Sequence, residues 1–376
     1  AKYSDIKGFT VQTLSTDTIV SQIAGGAWAS GGSMNASRSN AGGAGIQTSA
    51  LMVGLDNASP NPGNVEEYNG STWSEQTDLN TGRNARAMGA NAEAVLAVGG
   101  YDPAVSTGSV NTESWDGSSW TEVGDLNKKR EAMGIFGIYT AGLIASGLER
   151  GVGRPADVES WNGSSWTEIA NVNQGRSSII GSGIQTSGII SGGSPAPANN
   201  LVESWDGTSW TEVAEMNQNR GRAGGGSGTS NTSAIVFGGY ANPPTTVIAN
   251  TEFWDGSSWA EVADLSTARY DIQSAGNGPT SLSLAFGGLT PPETAATEEF
   301  TAPATFNQIQ EGQLFYNSTA KAFKETIKDI PGATWASGGA LNTGRYGATG
   351  FGTGADSGIV AGSNEPAPAG NLVEQY

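Results

Sequence analysis

A nine-residue word, "WDGSSWTEV" from Trp115 to Val123, recurs along the chain with small changes. It returns as "WNGSSWTEI" from Trp161, "WDGTSWTEV" from Trp205 and "WDGSSWAEV" from Trp254, with a weaker copy, "YNGSTWSEQ", from Tyr68. The later Trp of each copy falls at Trp73, Trp120, Trp166, Trp210 and Trp259, giving spacings of 47, 46, 44 and 49 residues. A period in the mid-forties belongs to repeat architectures, in which each unit is one small supersecondary structure that buries its apolar face only against its neighbours. Two outlying words, "WASGG" at Trp28 and Trp335, precede the same downstream pattern.

Helical repeats fail on composition, because the repeat interior is rich in Gly, Ser, Thr, Val and Trp. It is also broken by Asn69-Gly70, Asp116-Gly117, Asn162-Gly163, Asp206-Gly207 and Asp255-Gly256. Asn-Gly and Asp-Gly mark tight hairpins, since both residues tolerate positive φ. One unit reads as four antiparallel strands: "TEVGDL", a crossing loop ending at Arg130, "EAMGIFGIY", "AGLIASG", the loop "LERGVGRPAD", and "VESW" leading into the next hairpin. Small residues suit the crowded inner part of a radial fold, and Trp-bearing strands suit its wide outer part. The expected class is all-β, a β-propeller of four-stranded antiparallel blades.

The chain resembles kelch-type β-propellers. The likeness rests on the Gly pairs closing the second strand (Gly99-Gly100, Gly192-Gly193, Gly238-Gly239, Gly287-Gly288), the Glu before an aromatic in "VESW" and "TEFW", the later Trp, and the Arg beyond it. It covers roughly residues 27–300 and 332–376, with a shorter hairpin than the kelch pattern and Trp where Tyr is usual. Kelch propellers serve many functions, so the resemblance implies a fold and no activity.

The repeated Arg positions are Arg38, Arg83, Arg130, Arg176, Arg220, Arg269 and Arg345, and the repeated Glu positions are Glu66, Glu113, Glu159, Glu203, Glu252, Glu298 and Glu374. Seven of each favour seven blades, the N-terminal strand at Trp28 completing the last blade and closing the ring. The rival count is six, with blades from Trp28 to Phe300 and 335–376 as the stranded start of a second propeller. The expected organisation is an N-terminal arm over 1–26, a propeller over 27–376, and an inserted hairpin segment over 301–334.

No Cys and no His occur, which removes disulfides, thiol nucleophiles, Ser-His-Asp and Cys-His machinery, and ordinary zinc or copper sites. No cofactor is expected; a carboxylate-bound Ca²⁺ stays open. The net charge of −18 argues against a nucleic-acid partner and suits a self-repelling, soluble surface. No run approaches eighteen apolar residues, so membrane insertion is not expected, and "AKYSDIKGFT" has no signal-peptide pattern.

The repeated Arg and Glu would serve the repeat contact, Arg bonding backbone carbonyls or the Glu, and the repeated Trp would pack blade on blade. Paired carboxylates for glycosidase chemistry should break the repeat, and Asp and Glu occur at equivalent places in every unit. The "GRAGGGSGTSN" stretch from Gly221 has no following Lys and no helix to make a phosphate loop. Sequons such as Asn69 and Asn317 read as turn residues.

Strand alternation puts the strand one–two turns and the Asn-Gly hairpins on one face, and the crossing loops and strand two–three loops on the other. The latter loops differ from one another within this chain, from "LERGVGRPAD" to "YANPPTTVIAN". Variable loops on a rigid scaffold are the usual place for recognition. Candidate recognition residues are Tyr101, Asp102, Arg150, Arg154, Tyr240 and Asn242. Tyr101 and Tyr240 follow a Gly pair, and Tyr contacts ligands at low entropy cost.

The stretch "EGQLFYNSTAKAFKETI" resembles a small hairpin word of bacteriophage tail-fibre and virion appendage proteins. "GAWASGGSMNASR" and "GATWASGGALNTGR" resemble kelch-like repeats of marine phage structural proteins. These likenesses imply a non-enzymatic virion protein of a tail or head appendage, located on the extracellular particle, with roles in assembly and host-surface recognition. Its partners would be other virion proteins and a host-surface glycan or protein, and a homo-oligomer is compatible with this reading. Phe9, Leu314, Phe315, Tyr316 and Phe323 are the candidate assembly contacts. The alternative is a secreted or cell-surface lectin-like interaction propeller of a bacterium.

Overall fold

The computed structural model describes residues 23–54, 63–195, 200–226, 228–241 and 246–302 in full. Further along, it describes the backbone of five strands between Leu314 and Gln375. The chain forms two compact units, Ala1–Asn307 and Gln308–Tyr376.

The first unit is a β-propeller of six antiparallel blades, each with four strands in line and the second with a short extra strand, Thr107–Gly108, beside Tyr101-Asp102. From the inside outward, the first blade is Gly42–Ile46, Ser49–Val53, Val65–Tyr68 and Trp73–Gln76. The second is Asn84–Asn91, Ala94–Asp102, Thr112–Trp115 and Trp120–Glu122; the third is Gly134–Ile138, Ala141–Ala145, Val158–Trp161 and Trp166–Ile169. The fourth is Ile180–Ile184, Ser187–Ser191, Val202–Trp205 and Trp210–Glu212; the fifth is Gly224–Gly225, Ala234–Phe237, Thr251–Trp254 and Trp259–Val262. The sixth is Gln273–Ser274, Leu282–Phe286, Thr297–Thr301 and, as its outermost strand, Ala27–Ser30.

The expected seven blades are therefore six. The N-terminal strand does not complete a blade ending near Tyr376; Trp28 pairs with Phe300 instead. Counting Arg and Glu words gave seven because the second unit carries one more pair of them, Arg345 and Glu374. An apolar cluster containing Met52, Tyr68 and Trp73 of the first blade with Leu284 and Phe286 of the sixth joins the two ends of the ring. Tyr68 donates to Glu299 Oε1 at 2.6 Å across the same junction.

Six inter-blade cores account for the burial, one at each junction. The outermost Trp of every blade also donates its indole N–H to the preceding blade or its trailing loop. Trp28 reaches Thr251 Oγ1, Trp73 Thr297 Oγ1, Trp120 Thr77 O, Trp166 Thr112 Oγ1, Trp210 Ala170 O and Trp259 Ala214 O, at 2.9–3.2 Å. The sequence word thus supplies a large apolar wedge with one polar edge, and the neighbour satisfies that edge.

Each Asn-Gly or Asp-Gly hairpin loop holds four residues. Trp115 pairs directly with Trp120, leaving the four-residue loop Asp116–Ser119. Only Gly117 has positive φ there, 92°. Asp116 Oδ1 accepts from the N–H groups of Ser118 and Ser119, both at 2.9 Å. Asn69, Asn162, Asp206 and Asp255 do the same in their blades. The side-chain oxygen, common to Asn and Asp, is the shared requirement.

The second unit holds a hairpin, Leu314–Asn317 with Ala322–Glu325, and a three-stranded sheet of Thr349–Gly354, Ser357–Ala361 and Val373–Gln375. Leu314, Phe315 and Tyr316 lie on the first hairpin strand, and Phe323 pairs with Tyr316 from the second. The 301–334 segment divides between the units, its part up to Asn307 in the first and the rest, with the hairpin, in the second. Phe9, most of the N-terminal arm and Arg345 lie outside the described residues.

Candidate functional site

Each blade is built around one buried ion pair. Arg38–Glu66, Arg83–Glu113, Arg130–Glu159, Arg176–Glu203, Arg220–Glu252 and Arg269–Glu298 are 2.5–2.8 Å apart and are at most 4% exposed. The Arg also donates to carbonyls at the end of the second strand, as Arg83 Nε does to Gly99 O at 2.9 Å. The second carboxylate oxygen of the Glu accepts a backbone N–H from the preceding crossing loop, such as Asn127 N at 2.9 Å for Glu159. Burial pushes the Arg220 and Arg269 guanidinium groups below their ordinary value, against the attraction of their Glu partners. The repeated Arg and Glu are structural staples, closed to ligands.

The residues just after each staple have a different role. The next residue bonds the backbone just past the end of the second strand, beyond Ser146-Gly147 or a Gly pair: Glu131 with Leu148, Ser177 with Ser194, Gly221 with Tyr240, Tyr270 with Leu289. The second residue of the pair is Gly in each, and this close approach needs it. At Gly100 φ is 93°, and a Cβ would stand 2.2 Å from Asn84 O. The second residue after the staple is left-handed in five blades: Asn40, Ala132, Ser178, Arg222 and Asp271, with φ of 51–57°. These five form a belt around the axis. Ser178 N–H donates to Ala132 O, Arg222 N–H to Ser178 O, Asp271 N–H to Arg222 O and Asn40 N–H to Asp271 O, at 2.6–3.3 Å.

The second blade breaks the belt. In five blades the innermost-strand residue four after the staple Arg pairs with the residue preceding the Gly-pair position: Gly42 with Val53, Gly134 with Ala145, Ile180 with Ser191, Gly224 with Phe237, Gln273 with Phe286. In the second blade the partner of Val98 is Arg86, only three after Arg83, and the register shifts beside it. One residue is missing, the left-handed one. Arg86 stands at the top of the innermost strand, where other blades carry Gly, Ile or Gln.

Inside the belt lies a cavity of about 360 Å³ at one mouth of the axial channel. Tyr101, Arg150, Arg154 and Tyr240, singled out from the sequence, all line it, joined by Arg86, Glu131, Arg222 and Asp271. Asp102 does not line it; its carboxylate accepts from Ala104 N–H at 2.8 Å. Asn242 lies outside the described residues. Arg150 pairs with Glu131 at 2.9 Å and stacks 4.4 Å over the Tyr101 ring. Arg222 pairs with Asp271 at 3.2 Å and lies 5.9 Å from the Tyr270 ring, which itself packs 5.5 Å from Tyr240.

Arg154 donates to Ser177 Oγ at 3.0 Å, and Arg86 donates one long bond, 3.5 Å, to Ala41 O. Neither takes part in the ion pairs formed among the described residues. Burial pushes the Arg86 guanidinium below its ordinary value, while Asp271 and Glu131 pull it up and Arg222 pushes it down. It remains charged near neutral pH.

Below the basin the channel narrows between Gly42, Gly43, Gly181, Gly225 and the Arg86 stem. Toward the opposite face, Asn277 is buried. Its amide donates to Gly89 O at 2.7 Å and Gly137 O at 2.9 Å, and its backbone N–H to Gly45 O at 2.9 Å. Asn277 thus ties the inner strands of the first three blades together.

Sequence reasoning missed Arg86, Arg222, Asp271 and Asn277. One signal was available: seven residues separate the staple Arg from a Gly in Arg38–Gly45, Arg130–Gly137, Arg176–Gly183 and Arg269–Gly276, but six in Arg83–Gly89. No group of three or more metal-ligating side chains occurs among the described residues, and no helix there is long and apolar enough to cross a membrane. Comparison with protein-family models and with curated proteins finds no match to the chain.

Proposed function

We propose that this protein is a non-enzymatic recognition and structural component of a virion appendage, a kelch-like propeller in a tail- or head-fibre setting. Its basin face meets a host-surface glycan or protein. One observation carries the recognition part. Within this single chain the staple Arg and Glu are the same in all six blades, while the residues lining the basin, among them Asn84, Arg86, Tyr101, Glu131, Arg150 and Asp271, do not follow the repeat. Of the residues directly after the staple, Asn84, Glu131, Ser177 and Gly221 line the basin, and from the second-strand ends Tyr101, Leu148, Ser194 and Tyr240 do. A scaffold held constant beneath a non-repeating concave surface is what a binding module needs.

The virion setting is supported by the resemblance of "GAWASGG" and of the 311–327 hairpin word to phage appendage proteins. Other virion proteins are then the assembly partners, through the N-terminal arm and the 301–334 segment.

Immunogold labelling of purified particles with antibodies raised against the chain tests this reading. Label on a tail or head appendage is the expected result. Chain found only free in the medium or on bacterial surfaces contradicts the virion setting and favours the lectin-like interaction propeller.

A further inference from the structure

The basin carries an excess of positive charge on a protein whose net charge is −18. Four guanidinium groups, from Arg86, Arg150, Arg154 and Arg222, face two carboxylates, Glu131 and Asp271, and each carboxylate is already paired. Arg86 is the unusual member. It occupies a channel-mouth position where five blades carry uncharged residues, and it does so because its blade lacks one residue. A guanidinium half-buried beside a narrow channel, with one long hydrogen bond, is a poorly solvated cation that gains most from an incoming anion.

From this geometry we infer that the basin is a carboxylate-binding site for an acidic glycan, with Arg86 as the anchoring residue and Arg154 as a second cation at the rim. The inference rests on the recognition reading above and names its ligand class. The rest of the lining favours a sugar over an acidic peptide. Hydroxyl and amide groups of Asn40, Asn84, Ser177, Ser178 and Ser194 surround the cations, offering paired donors and acceptors for sugar hydroxyls. The Tyr101 and Tyr240 rings flank them, and among the described residues Ala132 and Leu148 are the aliphatic side chains of a mainly polar lining. The volume is at the small end of ligand clefts, and the cavity beneath it holds only about 70 Å³. The site fits a short acidic unit or chain end, not a polymer threaded through the ring.

The test is isothermal titration of the full chain with tri-galacturonate and with sialyllactose, each beside its neutral counterpart, the carboxyl-reduced trisaccharide and lactose. Polyglutamate serves as the peptide probe. Carboxylate-dependent binding to one of the acidic sugars is expected, weakening as salt is raised. Arg86→Met should lower that affinity about tenfold or more, the range for a charged hydrogen bond. Arg154→Gln, at an exposed position, should lower it several-fold without touching the fold, and keeps the test decisive where Arg86→Met fails to fold.

Equal binding of acidic and neutral sugars, affinity unchanged in both Arg variants, preference for polyglutamate, or no response to either acidic sugar would each overturn the assignment. The immunogold result is independent of all four, so the virion reading stands or falls separately.

Discussion

At the residue scale, the same ion pair is made six times, and each is held with almost no access to water. Removing one partner leaves an uncompensated buried charge, which costs about 3–5 kcal/mol. Glu159→Ala should lower stability by that amount in urea unfolding, since Glu159 also holds the Asn127 backbone and amide. The hairpin acids behave differently. Hydrogen bonds from Ser119 and Ser118 hold the Asp116 carboxyl down at about 2, and those from Thr208 and Ser209 do the same for Asp206. An unfolded Asp titrates near 3.9. Their contribution is therefore complete above about pH 4 and is lost as pH falls toward 2. Asn69 and Asn162 make the same turn without a titrating group. The double variant Asp116→Asn, Asp206→Asn should match the parent at pH 7 and lose less stability between pH 4 and 2, as followed by thermal melts across that range.

At the element scale, the ring depends on one short strand distant in sequence from its sheet. Ala27–Ser30 gives the sixth blade its outer edge, and Trp28 packs 4.9 Å from the Phe237 ring and 5.3 Å from the Phe300 ring. Trp28→Ala should cost about 3 kcal/mol. Hydrogen exchange should show the loss first in Thr297–Thr301 and Thr251–Trp254, with the third blade little changed. Blades were legible in the sequence because their constraints are local and repeated: an Asx residue before Gly, a Trp across the hairpin, a Gly pair where backbone meets backbone. Ring closure was legible only as the rival count of six, because the word around Trp28 recurs at Trp335 and pairing partners about 270 residues apart leave no local mark. The basin was legible in part. Tyr101, Arg150, Arg154 and Tyr240 stood out as chemistry-bearing residues in variable loops. Arg86 was hidden because it lies in a strand word that otherwise looks like its neighbours, one residue short.

At the scale of the whole molecule, the six-bladed ring is complete within residues 23–302, and Gln308–Tyr376 is a compact unit of its own. A chain ending at Asn307 should therefore unfold as cooperatively as the parent ring and within a few degrees of it, as read by near-ultraviolet circular dichroism of the Trp residues. A large fall in the melting temperature would show that the ring leans on the second unit. The functional claim also belongs to this scale, since the constant staples hold the ring and the variable basin is what one face offers to a partner. Cryo-electron microscopy of the virion proposed to carry this chain tests both halves together. The account predicts a closed six-bladed ring with the Arg86 basin facing away from the particle and open to solvent. A seven-bladed ring, or a basin face buried against other virion proteins, would contradict it.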